Sequence, residues 1–235
     1  MTQISGEKLI SFMQEQAAHI TFLTGAGVST PSGIPDYRSL TGVYHGLEEP
    51  EYLLSATCLK YEPEKFYAFV KHLYHPDAKP NIIHEKIAEY CRQGSALVTQ
   101  NIDGLHQRAV TPQMVAFHGN LSDVYCQKCQ AAVPVADYLT SDVHANCGGR
   151  LRPNIILYEE GLPLQRIIVA EKMVAQAQLL VVVGTSLKVY PFAGLLDAKK
   201  LDSQVVVINR EAPSRPLAAD VLEYYGSAEE IFKEL

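Results

Sequence analysis

Residues 20–27 read ITFLTGAG, a mostly apolar run that ends abruptly in glycine, and the pattern recurs at ALVT (96–99) into QNID, LLVVV (179–183) into GTS and VVVI (205–208) into NRE. Apolar, largely β-branched runs of this length without alternation suit parallel strands covered on both faces; a sheet with one wet face alternates. Between them, NIIHEKIAEYCRQG at 81–94 sets Ile83, Ile87 and Tyr90 on one helical face, with Gly94 placed to end the helix. The segment predicts a crossover helix and an α/β fold. In such sheets ligands bind beyond the carboxyl ends of the strands, so four strand ends are expected to supply one cleft.

The breaker HPDAKP at 75–80 marks off residues 31–75 as a helical lobe, and residues 120–158 read as a second excursion from the sheet. At 235 residues, 47% hydrophobic and 20% charged, the chain has enough apolar material for one larger domain and a smaller one. The first twenty residues lack the charge pattern and apolar run of a secretion signal, and no apolar stretch nears the roughly 18 residues of a spanning helix. A soluble, cytoplasmic protein is expected. A net charge of −6 disfavours non-specific binding to nucleic acid or an anionic membrane, and leaves basic peptides open as partners. Of five cysteines, Cys126, Cys129 and Cys147 cluster in sequence, which in a reducing compartment favours metal over disulfides. Cys58 and Cys91 read as small buried apolar residues.

Three stretches carry candidate chemistry. In FLTGAGVSTPSGIPDYRS (22–39), Gly25 and Gly27 flank Ala26 where backbone could approach a pyrophosphate, although Thr30 breaks the usual dinucleotide spacing and a plain tight turn would explain the glycines equally. In TQNID (99–103), three adjacent polar side chains follow a strand, and Asp103 reads either as a helix cap or as a ligand contact. In VAFHG (115–119), His118 follows an apolar run; its ordinary pKa makes it a candidate base, against the commoner structural role of a lone histidine.

The ordered set GAGVST, GIPDYRS, TQNIDGLHQRA, FHG, Cys-x-x-Cys, CGGRLRP, GTSLKVYPFAGL and INRE resembles the sirtuin family across nearly the whole chain, its compact bacterial members above all. The resemblance implies an inverted Rossmann-like parallel-sheet domain from residues 1–30, 76–119 and 159–235. It also implies a smaller inserted part, made of a cofactor loop and helical lobe at 31–75 and a zinc module with a substrate strand at 120–158. By residue-to-residue matching, Gly25, Ala26 and Gly27 line the pyrophosphate of NAD, and Asp36, Tyr37 and Arg38 form the cofactor loop, with Tyr37 where the family usually has phenylalanine. Gln100, Asn101, Ile102 and Asp103 surround the nicotinamide ribose and carboxamide, and Gly184, Thr185, Ser186, Asn209, Arg210 and Glu211 lie toward the adenosine. His118 becomes the base and Asn101 its catalytic companion.

The implied reaction is NAD-dependent removal of an acyl group, acetyl first, from lysine, releasing nicotinamide and an O-acyl-ADP-ribose. Two alternatives remain: mono-ADP-ribosyl transfer from the same cleft, or a non-catalytic NAD and zinc sensor. RPNIILYEEGLP matches the family's peptide strand, with Ile155, Ile156 and Tyr158 as substrate contacts for an acyl-lysine peptide added as a β-strand. Glu159 stands where the family commonly has glycine, and is expected either as a solvated side chain or as a carboxylate favouring basic residues beside the lysine. Tyr67, Lys71 and Tyr74 are the polar groups the helical lobe offers to an acyl channel, with no arginine among them. His144 replaces one of the four zinc thiolates, giving a structural site of Cys126, Cys129, His144 and Cys147, whose bland alternative is a degenerate, empty site.

Overall fold

The computed structural model describes residues 2–35, 49–214 and 216–235. The chain opens with β1 (Thr2–Gln3), α1 (Gly6–Glu15) and β2 (Ile20–Thr24), then short 3-10 turns at Ala26–Val28 and Thr30–Ser32. Three helices follow, α2 (Pro50–Leu53), α3 (Ala56–Tyr61) and α4 (Pro63–His72), before α5 (Ile82–Arg92), β3 (Ala96–Thr99), α6 (Leu105–Arg108) and β4 (Met114–Ala116). The second excursion holds β5 (Gly119–Cys126), β6 (Ala132–Val133), α7 (Val135–Thr140) and β7 (Leu151–Ile155). The chain then returns through α8 (Leu164–Gln176), β8 (Leu179–Val183), a 3-10 stretch at Phe192–Ala198, β9 (Gln204–Asn209), β10 (Leu222–Tyr225) and α9 (Ala228–Lys233).

Seven strands form one parallel sheet in the order β1-β10-β9-β8-β2-β3-β4. Its centre is the set of non-alternating runs, and the reason is visible in the packing. Successive residues go to opposite, equally dry faces: Phe22, Leu97 and Val181 meet α1, α5 and α9, whereas Leu23, Val98 and Val182 meet α8 and the Phe192–Ala198 stretch. Each fully buried leucine, isoleucine or phenylalanine here contributes about 1.5–3 kcal/mol. The predicted crossover helix is α5, with Ile83, Ile87 and Tyr90 buried and Gly94 just beyond its end at φ 115°.

The two excursions share a third core. Phe66, Tyr67 and Val70 of α4 pack with Leu121 and Val124 of β5, Tyr138 of α7 and Leu151 of β7, and β5 pairs antiparallel with both β6 and β7. The Tyr67 hydroxyl donates to the Leu151 carbonyl at 2.7 Å and the Tyr74 hydroxyl to that of Leu121 at 2.7 Å, which fastens the helical lobe to the β-module. No described helix is long and apolar enough to cross a membrane.

Candidate active site

A cavity of about 290 Å³ opens where β2, β3 and β4 end, bounded on its far side by residues 155–160 and by Val189, Tyr190 and Pro191. The turn after β2 approaches it tightly. A Cβ on Gly25 would lie 2.4 Å from the Gln100 amide nitrogen, and one on Gly27 would lie 2.7 Å from Gly184 Cα. The glycines are therefore required first by neighbouring protein, with Gly184 itself at φ 61°. Ala26 lines the cavity. Asp36, Tyr37 and Arg38 lie outside the described residues.

The segment after β3 is fixed by directed hydrogen bonds. Gln100 donates to the Thr185 hydroxyl at 2.7 Å, and Asn101 donates to the Gly25 carbonyl at 3.1 Å and to Ser29 Oγ at 3.2 Å. Asp103 Oδ1 accepts the Leu105 N–H at 2.8 Å at the start of α6, and Oδ2 accepts the Ser29 hydroxyl at 2.7 Å beside the cavity. Burial outweighs these bonds and pushes the Asp103 carboxyl above its ordinary pKa.

Behind Ser29 lies His84, fully buried, whose Nδ1 accepts the Asn81 N–H at 3.3 Å. Its proton therefore sits on Nε2, 3.5 Å from Ser29 Oγ, and burial lowers its pKa to about 4. His106 lies against it, ring centroids 4.6 Å apart and planes tilted by 56°. Ser29 and His106 fall within quoted motifs and His84 within the crossover helix, but no local pattern gives them this role; only the fold brings them behind Asp103.

His118 lines the same cavity, stacked edge-on against Phe117 and near Phe192. Its Nδ1 lies 3.2 Å from the Gln100 carbonyl. A carbonyl only accepts, so Nδ1 carries a proton, and in the neutral ring the lone pair is on Nε2.

Ile155, Ile156 and Tyr158 line the opposite wall. The Ile155 carbonyl accepts from Arg152 at 2.9 Å, the Ile156 N–H donates to the His118 carbonyl at 2.9 Å, and Tyr158 bridges to the segment before α3. Glu159 is exposed, and its carboxylate accepts two hydrogen bonds from Thr57, at 2.9 and 2.7 Å, a partner that neither expectation included. Tyr67, Lys71 and Tyr74 also depart from expectation, since none lines the cavity; Lys71 lies 5.7 Å from the Tyr138 ring centre.

Toward β8 and β9, the Asn209 side chain accepts the Thr185 N–H at 3.0 Å and donates to the Thr185 carbonyl at 2.8 Å. Gly184, Thr185 and Asn209 thus form one rigid corner, Ser186 is half-buried beside it, and Arg210 and Glu211 are exposed. None of these six borders the cavity.

Away from the cleft, the Sγ atoms of Cys126, Cys129 and Cys147 and a nitrogen of His144 lie within 4.8 Å of one another. His144 Nδ1 stands 3.3 Å from Cys129 Sγ and 3.2 Å from Cys147 Sγ. A Cβ on Gly149 would meet Cys126 Sγ at 2.6 Å, so glycine lets the second loop close on the first. Desolvation opposes ionisation of Cys126, but N–H groups of Cys129 and Lys128 prevail and bring its thiol to about 6. Three soft thiolates and an imidazole at this spacing fit tetrahedral zinc with no open position.

A family model described as the Sir2 family matches residues 25–191. A protein of Enterococcus faecalis named NAD-dependent protein deacetylase is 53% identical over 239 residues, covering 100% of this chain and 98% of that one. One of the same name from Listeria monocytogenes serotype 4b is 48% identical, covering 94% and 96%. Among solved structures, a Sir2 protein with deacetylated p53 peptide and 3'-O-acetyl ADP-ribose superposes with a TM-score of 0.84 at 32% identity, covering 98% and 97%. A Sir2 protein bound to a propionylated peptide gives 0.82 at 32%, covering 98% and 96%. With a matching family model over most of its length and such relatives from end to end, the chain belongs to the Sir2 family, the sirtuins.

Proposed function

We propose that this protein is an NAD-dependent protein lysine deacylase, acting on acetyl-lysine first, that transfers the acyl group to ADP-ribose and releases nicotinamide. The observation that carries the reading is His118, held in one tautomer on the same cavity as Asn101 and Asp103. Bound NAD supplies an electrophilic ribose carbon with nicotinamide as leaving group.

The chain's residues supply the rest. Each Asp103 oxygen takes one internal bond and keeps a lone pair for a carboxamide N–H. Asn101, fixed through Ser29 and Gly25, orients the ribose side, and His118 Nε2 accepts a proton from a ribose hydroxyl. Ile102, Ile156, Leu157 and Leu162 provide an apolar wall that keeps competing water out. Ala26 and the Gly184–Thr185–Asn209 corner orient the rest of the dinucleotide. Ile155, Ile156 and Tyr158 receive the acyl-lysine peptide as an added strand, Ile156 offering a carbonyl that takes no hydrogen bond among the described residues.

A short neutral acyl group fits best. The Tyr67 and Tyr74 hydroxyls are bonded to backbone carbonyls, and no arginine or lysine lines the cavity among the described residues. His144 completes a structural zinc that takes no part in the reaction. A cytoplasmic location suits three thiolates that must stay reduced to hold metal. The test incubates the protein with NAD and a panel of acyl-lysine peptides and identifies both products by mass spectrometry. O-acetyl-ADP-ribose and free lysine support the reading; a peptide carrying ADP-ribose would replace it with ribosyl transfer.

A further inference from the structure

Glu159 has its backbone at φ 74°, a left-handed conformation that suits glycine because a Cβ there crowds the chain. Its side chain offsets that strain. One carboxylate oxygen, Oε2, accepts the Thr57 N–H at 2.9 Å and the Thr57 hydroxyl at 2.7 Å. Thr57 lies in the first turn of α3, where N–H groups have no partner within the helix and the peptide dipoles favour negative charge. Backbone bonds run alongside, from the Tyr158 N–H to the Leu54 carbonyl at 3.0 Å and from the Ala56 N–H to the Tyr158 carbonyl at 3.1 Å. From the other side, Arg152 donates to both oxygens of Glu160, at 2.8 and 3.0 Å, and Glu160 accepts the Leu157 N–H at 3.0 Å. Residues 155–160 are held by their own β-module through Glu160 and by the helical lobe through Glu159.

We infer that Glu159 is a positioning residue for the peptide substrate: bonded to the first turn of α3, it fixes the substrate strand against the helical lobe. The inference rests on the reading above that residues 155–158 receive the peptide as an added strand. A strand left loose would have to be ordered at each binding event, and that lost entropy would be subtracted from peptide affinity. The chemistry lies beyond this segment, on His118, Asn101 and Asp103. The effect therefore falls on the peptide KM and leaves kcat at saturating peptide and the KM for NAD in place.

Steady-state kinetics on an acetyl-lysine peptide, with melting temperatures alongside, test it. Glu159→Ala keeps the strained backbone and loses both bonds, and its peptide KM rises about 5- to 10-fold, the scale of one exposed charge-assisted hydrogen bond. Glu159→Gly relieves the strain, so it melts at or above Glu159→Ala, yet its KM rises equally. Glu159→Gln, whose amide oxygen accepts both Thr57 donors, restores the KM. Thr57→Val added to Glu159→Ala changes little further, because the partner is already gone.

A KM that follows melting temperature, with Glu159→Gly normal, overturns the tether. So does a KM that rises in Glu159→Gln and depends on basic residues in the peptide, the mark of a carboxylate acting directly on substrate. Hydrogen exchange of the wild-type protein with and without peptide separates the two readings. Absence of peptide-induced protection at 156–160 overturns the strand assignment itself. Protection there, together with a wild-type KM in Glu159→Ala, overturns the tether alone.

Discussion

The role proposed for His118 as a base requires a lone pair turned toward the cavity, and the Gln100 carbonyl beside Nδ1 favours the tautomer that leaves it on Nε2. His118→Ala is expected to lower deacetylation by about 100- to 10,000-fold, the usual range for a positioned base, while NAD binding persists. Turnover assays and calorimetric NAD titration check this, and near-normal turnover would remove His118 from the mechanism. His84 shows how burial alone disciplines a titratable group. Its pKa of about 4, against an ordinary 6.5, means that the unfolded chain binds the proton more readily. Stability from this group is complete above pH 6.5 and is lost as pH falls toward 4, amounting to about 2 kcal/mol by pH 5. His106, also lowered by burial, acts in the same direction, and Asp103, raised by burial, in the opposite one. Comparing urea midpoints at pH 7 and 5 isolates His84: wild type should lose about 2 kcal/mol more than His84→Gln, and parallel losses would refute a neutral buried imidazole. At this scale the legible residues were those inside quoted motifs. Ser29, although within one of them, draws its importance from Asn101 and Asp103, 72 and 74 positions away, and nothing local to a serine signals that.

Elements were legible in proportion to their burial. β2, β3, β8 and β9 announced themselves because both faces are dry and the runs are accordingly unbroken. Two-residue β1 and half-buried β10, whose sequence LEYY carries a charge, gave no such signal, although they extend the same sheet. The loops that bring Cys126, Cys129, His144 and Cys147 together were legible from spacing, while Glu159 was not, since its partner Thr57 lies 102 residues away. For these loops metal supplies what a core this small cannot. One zinc per chain is expected by elemental analysis, with His144→Ala lowering zinc content and melting temperature and His144→Cys preserving both. Unaltered zinc in His144→Ala would take His144 out of the site.

At the scale of the molecule, three apolar cores divide the work unequally. Two clothe the faces of the parallel sheet, and the third joins the helical lobe to the β-module that carries the metal-binding loops. Cys126 belongs to that third core, packed with Leu121, Val124 and the α4 residues Phe66, Tyr67 and Val70. The Tyr67 and Tyr74 bonds to Leu151 and Leu121 cross the same boundary. Local opening follows cooperative units of packing, not sequence order. Stripping the metal with a chelator should therefore loosen residues 49–75 and 119–158 together, although the helical lobe supplies no ligand. The amides of β2, β3, β8 and β9, buried within the other two cores, should stay protected, and deacetylation should be lost because the strand proposed to receive the peptide belongs to the loosened part. Hydrogen exchange before and after chelation reads this directly. Exchange confined to residues 126–150, with the helical lobe still protected, would mean that the third core holds without its metal and that the two excursions are independent units.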